Sequence, residues 1–177
     1  KAYRLEKMID EFFEITRYNT QQITITPKPV DLYYLLVQVI DEHIPLLNEH
    51  GNYVAFQAEE PLQVCGDAEK LARVFNNLLK NAASYSESGA EVIVRAEDKG
   101  EKVVVSVCSY GKTIPGEKLD TVFEKFYRLD GARSSNTGGA GLGLAIARAI
   151  AEEHGGTLTA SSTQAEGTAF IATLPLK

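Results

Sequence analysis

The stretch Asn136–Gly156, NTGGAGLGLAIARAIAEEHGG, sets Gly138, Gly139, Gly141 and Gly143 directly in front of a strongly helical run. Glycine within a helix costs up to roughly 1 kcal/mol per residue, so a cluster at a helix start needs a reason. Ala145, Ile146, Ala149 and Ile150 then form one small apolar face at helical spacing. A backbone free of side chains that feeds a helix N-terminus suits an anion such as a phosphate, because unpaired N–H groups and the positive end of the helix dipole meet there. A flexible loop ahead of a helix would read the same, and this segment alone leaves both open. It lacks the GK[ST] ending of a P-loop. It also reads G-x-G-x-G with no strand immediately before it, which disfavours a dinucleotide fold.

Outside this stretch the composition sets limits. A chain of 177 residues holds one sizeable core, or one domain plus an appendage. Hydrophobic residues make up 44% and charged ones 24%, which is ordinary for a globular protein. A net charge of −6 argues against a generic nucleic-acid surface. No apolar run approaches the roughly 20 residues that cross a bilayer. Cys65 and Cys108 sit in or beside apolar β-like runs, with no CxxC, and are expected to be buried and inert. The chain opens in mid-pattern with KAYRLEKMIDEFFEITRYN (1–19), as expected of a piece of a longer protein.

Leu5, Met8, Ile9, Phe12, Phe13 and Thr16 share one stripe and predict an amphipathic helix. Such a helix suits half of a helical hairpin, a dimerising coil, or packing on its own domain. QQITITPKPVD (21–31) reads as a short β-like run and a proline-punctuated link. Asp31 and Asp67 are predicted N-caps of two long helices, with Gly51 just past the end of the first. YVAFQA (53–58) and LQVCG (62–66) read as strands in a hairpin across Glu59–Pro61. AEVIVRAE (90–97) and KVVVSVCS (102–109) read as strands turning at Lys99–Gly100, and TLTASST with TAFIATLPL as a closing hairpin. The last helix runs to His154. Strands interleaved with three main helices predict a two-layer α/β sandwich with a mixed sheet, preceded by one amphipathic helix.

Four groups of residues carry chemistry. Asn77 and Asn81 are four apart and share a helix face, although asparagine is a mediocre helix former. Two amides there either face solvent or point at something polar. One amide oxygen plus substrate phosphates would satisfy a hard cation such as Mg²⁺. SYGKTIPGEKL (109–119) follows a strand and turns at Gly111 and Pro115. VFEKFYRLDGARSS (122–135) places Phe123, Phe126 and Tyr127 three and four apart, interleaved with Lys125, Arg128 and Arg133. Those aromatics read either as core or as the anchor of a loop whose arginines reach a polyphosphate. The glycine stretch is the fourth group.

In this order, NLLKNA (77–82), the glycine turn after a strand, FEKFYR (123–128), GAGLGLAIA (139–147) and EGTAF (166–170) resemble the catalytic, ATP-binding domain of sensor histidine kinases, within the wider gyrase, HSP90 and MutL ATPase superfamily. The resemblance covers about residues 31–177. Residues 1–20 look like the end of the second helix of a dimerisation and phosphoacceptor hairpin, and 21–30 like a linker with a first strand. The whole is similar to VanS-type kinases of glycopeptide-resistance two-component systems.

The resemblance implies binding of Mg²⁺ and ATP, and transfer of the γ-phosphoryl group to a histidine on the upstream hairpin. It implies a VanR-type response regulator as partner, a second kinase protomer, no nucleic acid, and a cytoplasmic position behind a membrane anchor outside this chain. Asn81 would hold the metal, Asn77 would line the phosphate site, and Arg128 would reach the phosphates, which makes Asn77 and Arg128 the residues of catalysis. Tyr85, Ser109, Gly111, Tyr127 and Thr168 would surround the nucleotide, with Gly139, Gly141, Leu142, Gly143 and Leu144 closing on the triphosphate.

The chain also departs from the family pattern. Ser109 stands where the family has an aspartate facing the adenine amino group, which would weaken binding by about 1–3 kcal/mol. Thr113 replaces a second glycine, and Ser84 stands where many relatives carry Lys or Arg. His43, His50 and His154 lack the flanking sequence of the phosphoacceptor and read as surface or capping residues. A hydrolase of the same superfamily would need a glutamate where Asn77 stands, because an amide takes no proton at neutral pH. A non-catalytic interaction module is the remaining alternative.

Overall fold

Two aspartates start the two long helices. Asp31 accepts from the Tyr34 N–H at 3.0 Å and opens α1 (Leu32–Asn48). Asp67 accepts from the Lys70 N–H at 3.2 Å and opens α2 (Ala68–Tyr85). Each cap satisfies a donor that helix geometry leaves unpaired, worth about 1 kcal/mol. Helix α3 (Gly143–Glu153) differs, because no side chain caps it at Leu142. The structure, a computed structural model, describes residues 23–129 and 141–176, together with Ala2, Leu5, Glu6, Ile9, Asp10, Phe12, Phe13 and Thr16, all helical.

Five strands form the main sheet in the order β2 (Tyr53–Ala58), β4 (Glu91–Asp98), β5 (Lys102–Ser109), β7 (Gly167–Pro175), β6 (Thr157–Thr163). Strands β2 and β4 run parallel and the other pairs antiparallel, so the sheet is mixed as expected. Alternation along β4, β5 and β7 turns Val92, Val94, Val103, Val105, Val107, Phe170, Ala172 and Leu174 toward the helices. Phe75, Leu78 and Leu79 of α2, Leu36 and Val39 of α1, and Ile146 and Ile150 of α3 complete that core. The result is a two-layer sandwich whose cost in chain entropy is met by one continuous apolar interior.

Several expectations need correction. Strand β3 (Gln63–Gly66) does not form a hairpin with β2. It pairs antiparallel with β1 (Lys28–Asp31), in register from Lys28–Gly66 to Asp31–Gln63. The reason lies in burial: Val64 and Leu62 face the core beside Val30 and Leu32, and the Leu32 N–H donates to the Leu62 carbonyl at 2.8 Å. The first strand is therefore the proline-containing KPVD, and not the ITIT run, of which residues 23–27 hold no regular structure. Pro29 is tolerated because β1 has a partner on one side alone. Cys65 is exposed and Cys108 half-buried, its thiol pushed up by burial. His43 is buried on α1, with Nδ1 donating to the Val39 carbonyl at 2.8 Å, so it is neither a surface nor a capping residue. Leu5, Ile9, Phe12 and Phe13 are exposed and do not pack into this core. Met8 lies outside the described residues.

Asp67 is more than a cap. Its second carboxylate oxygen accepts from the Thr26 N–H at 3.0 Å, tying the segment before β1 to the start of α2. Burial pushes this carboxyl up, but the Thr26 and Lys70 N–H bonds and the Lys70 charge outweigh it and hold it below the ordinary aspartate range. A depressed folded-state value adds stability that is present above the unfolded pKa of about 3.9 and lost as pH falls through the folded value. Asp67→Asn, which keeps a capping oxygen, should therefore show a stability deficit in urea at pH 7 that shrinks and is lost as pH falls through the depressed folded-state value of the carboxyl. Asp67→Ala should lose about 1 kcal/mol at pH 7.

Candidate functional site

A cleft of about 730 Å³ opens between α2, the end of β5, the turn at Tyr127–Leu129, the first turn of α3 and the start of β7. Helix α2 contributes Asn77, Asn81 and Tyr85, which its 3.6-residue period lays along one side. Ser109 ends β5 and Thr168 begins β7, and the two are direct register partners. Tyr127 and Arg128 enter from the chain segment before residue 130, and Gly141, Leu142, Gly143 and Leu144 from the start of α3. Gly139 lies outside the described residues, as do Gly138 and Arg133.

Gly111 does not line the cleft. It bridges to Ser86, and a Cβ there would sit 2.2 Å from the Tyr85 carbonyl oxygen. With the Glu87 N–H donating to the Tyr110 carbonyl at 2.8 Å, this contact locks the end of β5 onto the end of α2. Gly111 thus positions Ser109 and Tyr85.

The Asn77 amide donates to the Gly143 carbonyl at 3.0 Å, a bond from mid-α2 to the first residue of α3. It leaves the amide oxygen of Asn77 as an acceptor. Since Leu142 offers no side-chain cap, the N–H groups of the first turn of α3 have no side-chain partner among the described residues, and Asn81 lines the same cleft. Half-buried Arg128 and exposed Lys80 and Lys112 add positive charge to the lining. Such an arrangement of N–H groups and cationic side chains suits an anion.

The aromatic segment divides its labour. Phe123 is core, edge-on to Phe170 at 6.0 Å and covered by the Arg148 guanidinium at 4.6 Å. Phe126 is 55% exposed with φ +65, and its N–H donates to the Gly141 carbonyl at 2.9 Å. Gly141 itself has φ +78, and a Cβ there would press on the Phe126 and Tyr127 backbone at 3.0 Å. The two strands of chain flanking residues 130–140 are thereby clasped at their base.

Hydroxyls line the other part of the cleft. Ser109 and Thr168 are buried, beside the apolar side chains of Ile114, Val122 and Phe170. Thr168 Oγ1 lies 2.7 Å from Ser162 Oγ, which accepts from the Ile114 N–H at 2.9 Å. Sequence reasoning missed Ser162, Lys80 and Lys112. The register of the closing hairpin, which sets Ser162 opposite Thr168, was the available signal for the first. His50 is exposed and lines the cleft with Asp10 and Glu49. His154 caps the end of α3 as expected, though it is buried.

Among the described residues no cluster of three or more His, Cys, Asp or Glu could hold a metal. A cation here would have to draw most of its ligands from water and phosphate, which is how Mg²⁺ binds, and the amide oxygens of α2 fit that donor set.

Residues 66–177 match the model of histidine kinase-, DNA gyrase B- and HSP90-like ATPases. The chain belongs to this family. The sensor protein VanS of Enterococcus faecium is 55% identical over 175 residues, covering 99% of this chain and 45% of VanS. The full-length kinase ShkA, solved in complex with AMPPNP, superposes with a TM-score of 0.84 at 26% identity over 97% of this chain and 36% of that one. Histidine kinase ThkA in complex with the response regulator TrrA gives 0.82 at 25% identity, over 99% and 49%. The chain thus spans under half the length of VanS. Within the family fold, no helix of the described residues is long and apolar enough to cross a membrane.

Gly111→Ala should force β5 away from α2, cost about 1–3 kcal/mol in chemical denaturation, and raise exchange of the Glu87 amide.

Proposed function

We propose that this chain is the ATP-binding catalytic part of a sensor histidine kinase, which binds Mg-ATP and passes the γ-phosphoryl group to a histidine on an upstream helical hairpin. The observation that carries the reading is the convergence of Asn77, Asn81, Arg128 and the uncapped start of α3 on one cleft whose other part is apolar and hydroxyl-lined. In the transfer the bond from the γ-phosphorus to the β,γ-bridging oxygen breaks and a bond to an imidazole nitrogen forms, leaving ADP.

The residues of this chain act by position and charge. The N–H groups of α3 and the Arg128 guanidinium hold the phosphate oxygens and spread their developing charge. Asn77 keeps α3 in place through the Gly143 carbonyl. Asn81 would hold Mg²⁺, which would supply positive charge to offset that of the phosphates. Ser109, Thr168, Tyr85 and Tyr127 would surround the nucleoside, and Leu142 and Leu144 would flank the triphosphate. No carboxylate stands at position 77 to activate water, so the site favours transfer over hydrolysis.

The wider assignment follows the relatives. Residues 1–20 are read as the end of the hairpin's second helix, 21–30 as a linker with a first strand, and 31–177 as the catalytic unit, against which β1 is paired through β3. The partners are a second protomer and a VanR-type response regulator controlling glycopeptide-resistance genes, supported by the VanS similarity and by the regulator bound to ThkA. The chain would work on the cytoplasmic side of a membrane-anchored receptor.

Calorimetric titration tests this. ATP should bind in magnesium, bind more weakly in EDTA, and lose at least about tenfold in affinity in Asn81→Ala. A folded chain that takes up no ATP at millimolar nucleotide would sink the assignment.

A further inference from the structure

Two buried hydroxyls that line the cleft, those of Ser109 and Thr168, can each act as donor or acceptor. Ser109 is 7% exposed and its register partner Thr168 is 9% exposed. Ser109 Oγ has no hydrogen-bond partner among the described residues. Thr168 Oγ1 shares one hydrogen with Ser162 Oγ at 2.7 Å, and either atom can be the donor. Ser162 is fixed by accepting from the Ile114 N–H at 2.9 Å, yet it keeps its own proton to give or withhold. A hydroxyl donates one hydrogen and offers two lone pairs, whereas an ionised carboxylate only accepts and an ammonium or guanidinium only donates. The carboxylates that do line the cleft, Asp10 and Glu49, are both exposed and belong to neither β5 nor β7. Ile114, Val122 and Phe170 can hold the faces of a purine ring, but they carry no information about its edge.

We propose that this part of the cleft accepts amino- and carbonyl-edged purines alike, so that the chain binds GTP as well as ATP. The inference rests on the reading that the cleft holds a nucleoside triphosphate with its phosphates at α3. Adenine presents an amino group beside a ring acceptor, and guanine presents a carbonyl beside a ring N–H. Ser109 Oγ accepts from the first or donates to the second by rotating its hydrogen. The Thr168–Ser162 pair reverses its direction in the same way. A site earns strong discrimination only when the wrong ligand leaves a fixed polar group unpaired, and these hydroxyls are not fixed. Ser109 is then the residue that sets base selectivity.

The experiment is a set of competition titrations on this chain in magnesium, with ATP, GTP and UTP against a fluorescent ATP analogue. GTP should fall within about tenfold of ATP, with UTP weaker than both because it buries less ring area. Ser109→Asp, an acceptor alone when ionised, should tighten ATP, weaken GTP, and open the gap by at least about tenfold. Ser109→Ala should weaken both purines without separating them. A wild-type preference for ATP above about a hundredfold overturns the proposal, as does a Ser109→Asp ratio equal to the wild-type one in a folded variant. The wild-type ratio decides the matter even where Ser109→Asp does not fold. ATP binding without GTP binding defeats this inference alone, and failure of both nucleotides defeats the kinase reading with it.

Discussion

The hydrogen bond from the Asn77 amide to the Gly143 carbonyl governs the functional end of the molecule. Its net worth is about 1 kcal/mol, small beside the apolar packing of Phe75, Leu78, Ile146 and Ile150 that joins the same two helices. Packing is non-directional, however, and two apolar helix faces tolerate sliding along each other. A directional bond at the first residue of α3 fixes where that helix begins relative to α2. With the start so placed, the unpaired N–H groups open beside Asn81, one turn further along α2. The proposed anion site would thus be a consequence of helix register.

The other end of α3 is held to the same helix by different chemistry. His154 Nε2 accepts from the Asp67 N–H at 3.0 Å, while its Nδ1 donates to the Ile150 carbonyl at 2.8 Å. The two partners demand one neutral tautomer, with the hydrogen on Nδ1. Asp67 is also the cap of α2 and the acceptor for Thr26. Helix α3 is therefore pinned at both ends to α2, and the segment entering from the N-terminal side is tied to the same joint. Asp67 thus joins three elements, the segment before β1, α2 and the end of α3.

The features legible in the sequence are those written locally. Aspartate caps, helical stripes and the alternation of β4, β5 and β7 all act within a few residues, and the structure bears them out. The hairpins β4–β5 and β6–β7 follow from short turns between alternating strands. The failure at β2 and β3 has the same origin: adjacency in the chain suggests a hairpin, but the buried faces of Leu62 and Val64 match Val30 and Leu32 across more than thirty residues of chain. Asn77 shows the limit at the site. Its residue type and spacing mark a polar helix face, yet its partner is a backbone carbonyl that arrives only when α3 docks. Gly111 reads as a turn glycine, and only the proximity of the Tyr85 carbonyl shows that it clamps two elements. His43 alone among the histidines departs from expectation, since a buried imidazole bonded within its own helix leaves no pattern.

Net charge needs the same local treatment. A chain at −6 is a poor partner for a long polyanion, which must lie along an extended surface. A triphosphate is short, and its neighbours decide its energy because exposed charges beyond about 10 Å are screened by salt. Arg128 is half-buried in the cleft lining, where reduced exposure to water raises the strength of each interaction. Lys80 and Lys112 stand on the exposed parts of the lining, and Asp10 and Glu49 are equally exposed and largely screened. The acidic surplus lies elsewhere, on exposed positions such as Glu59, Glu60, Glu97, Asp98 and Glu117. Composition alone therefore speaks against a nucleic-acid surface and is silent about a nucleotide. The distinction is one of length scale, since exposed charge more than about 10 Å away is screened while the cleft's own lining is not.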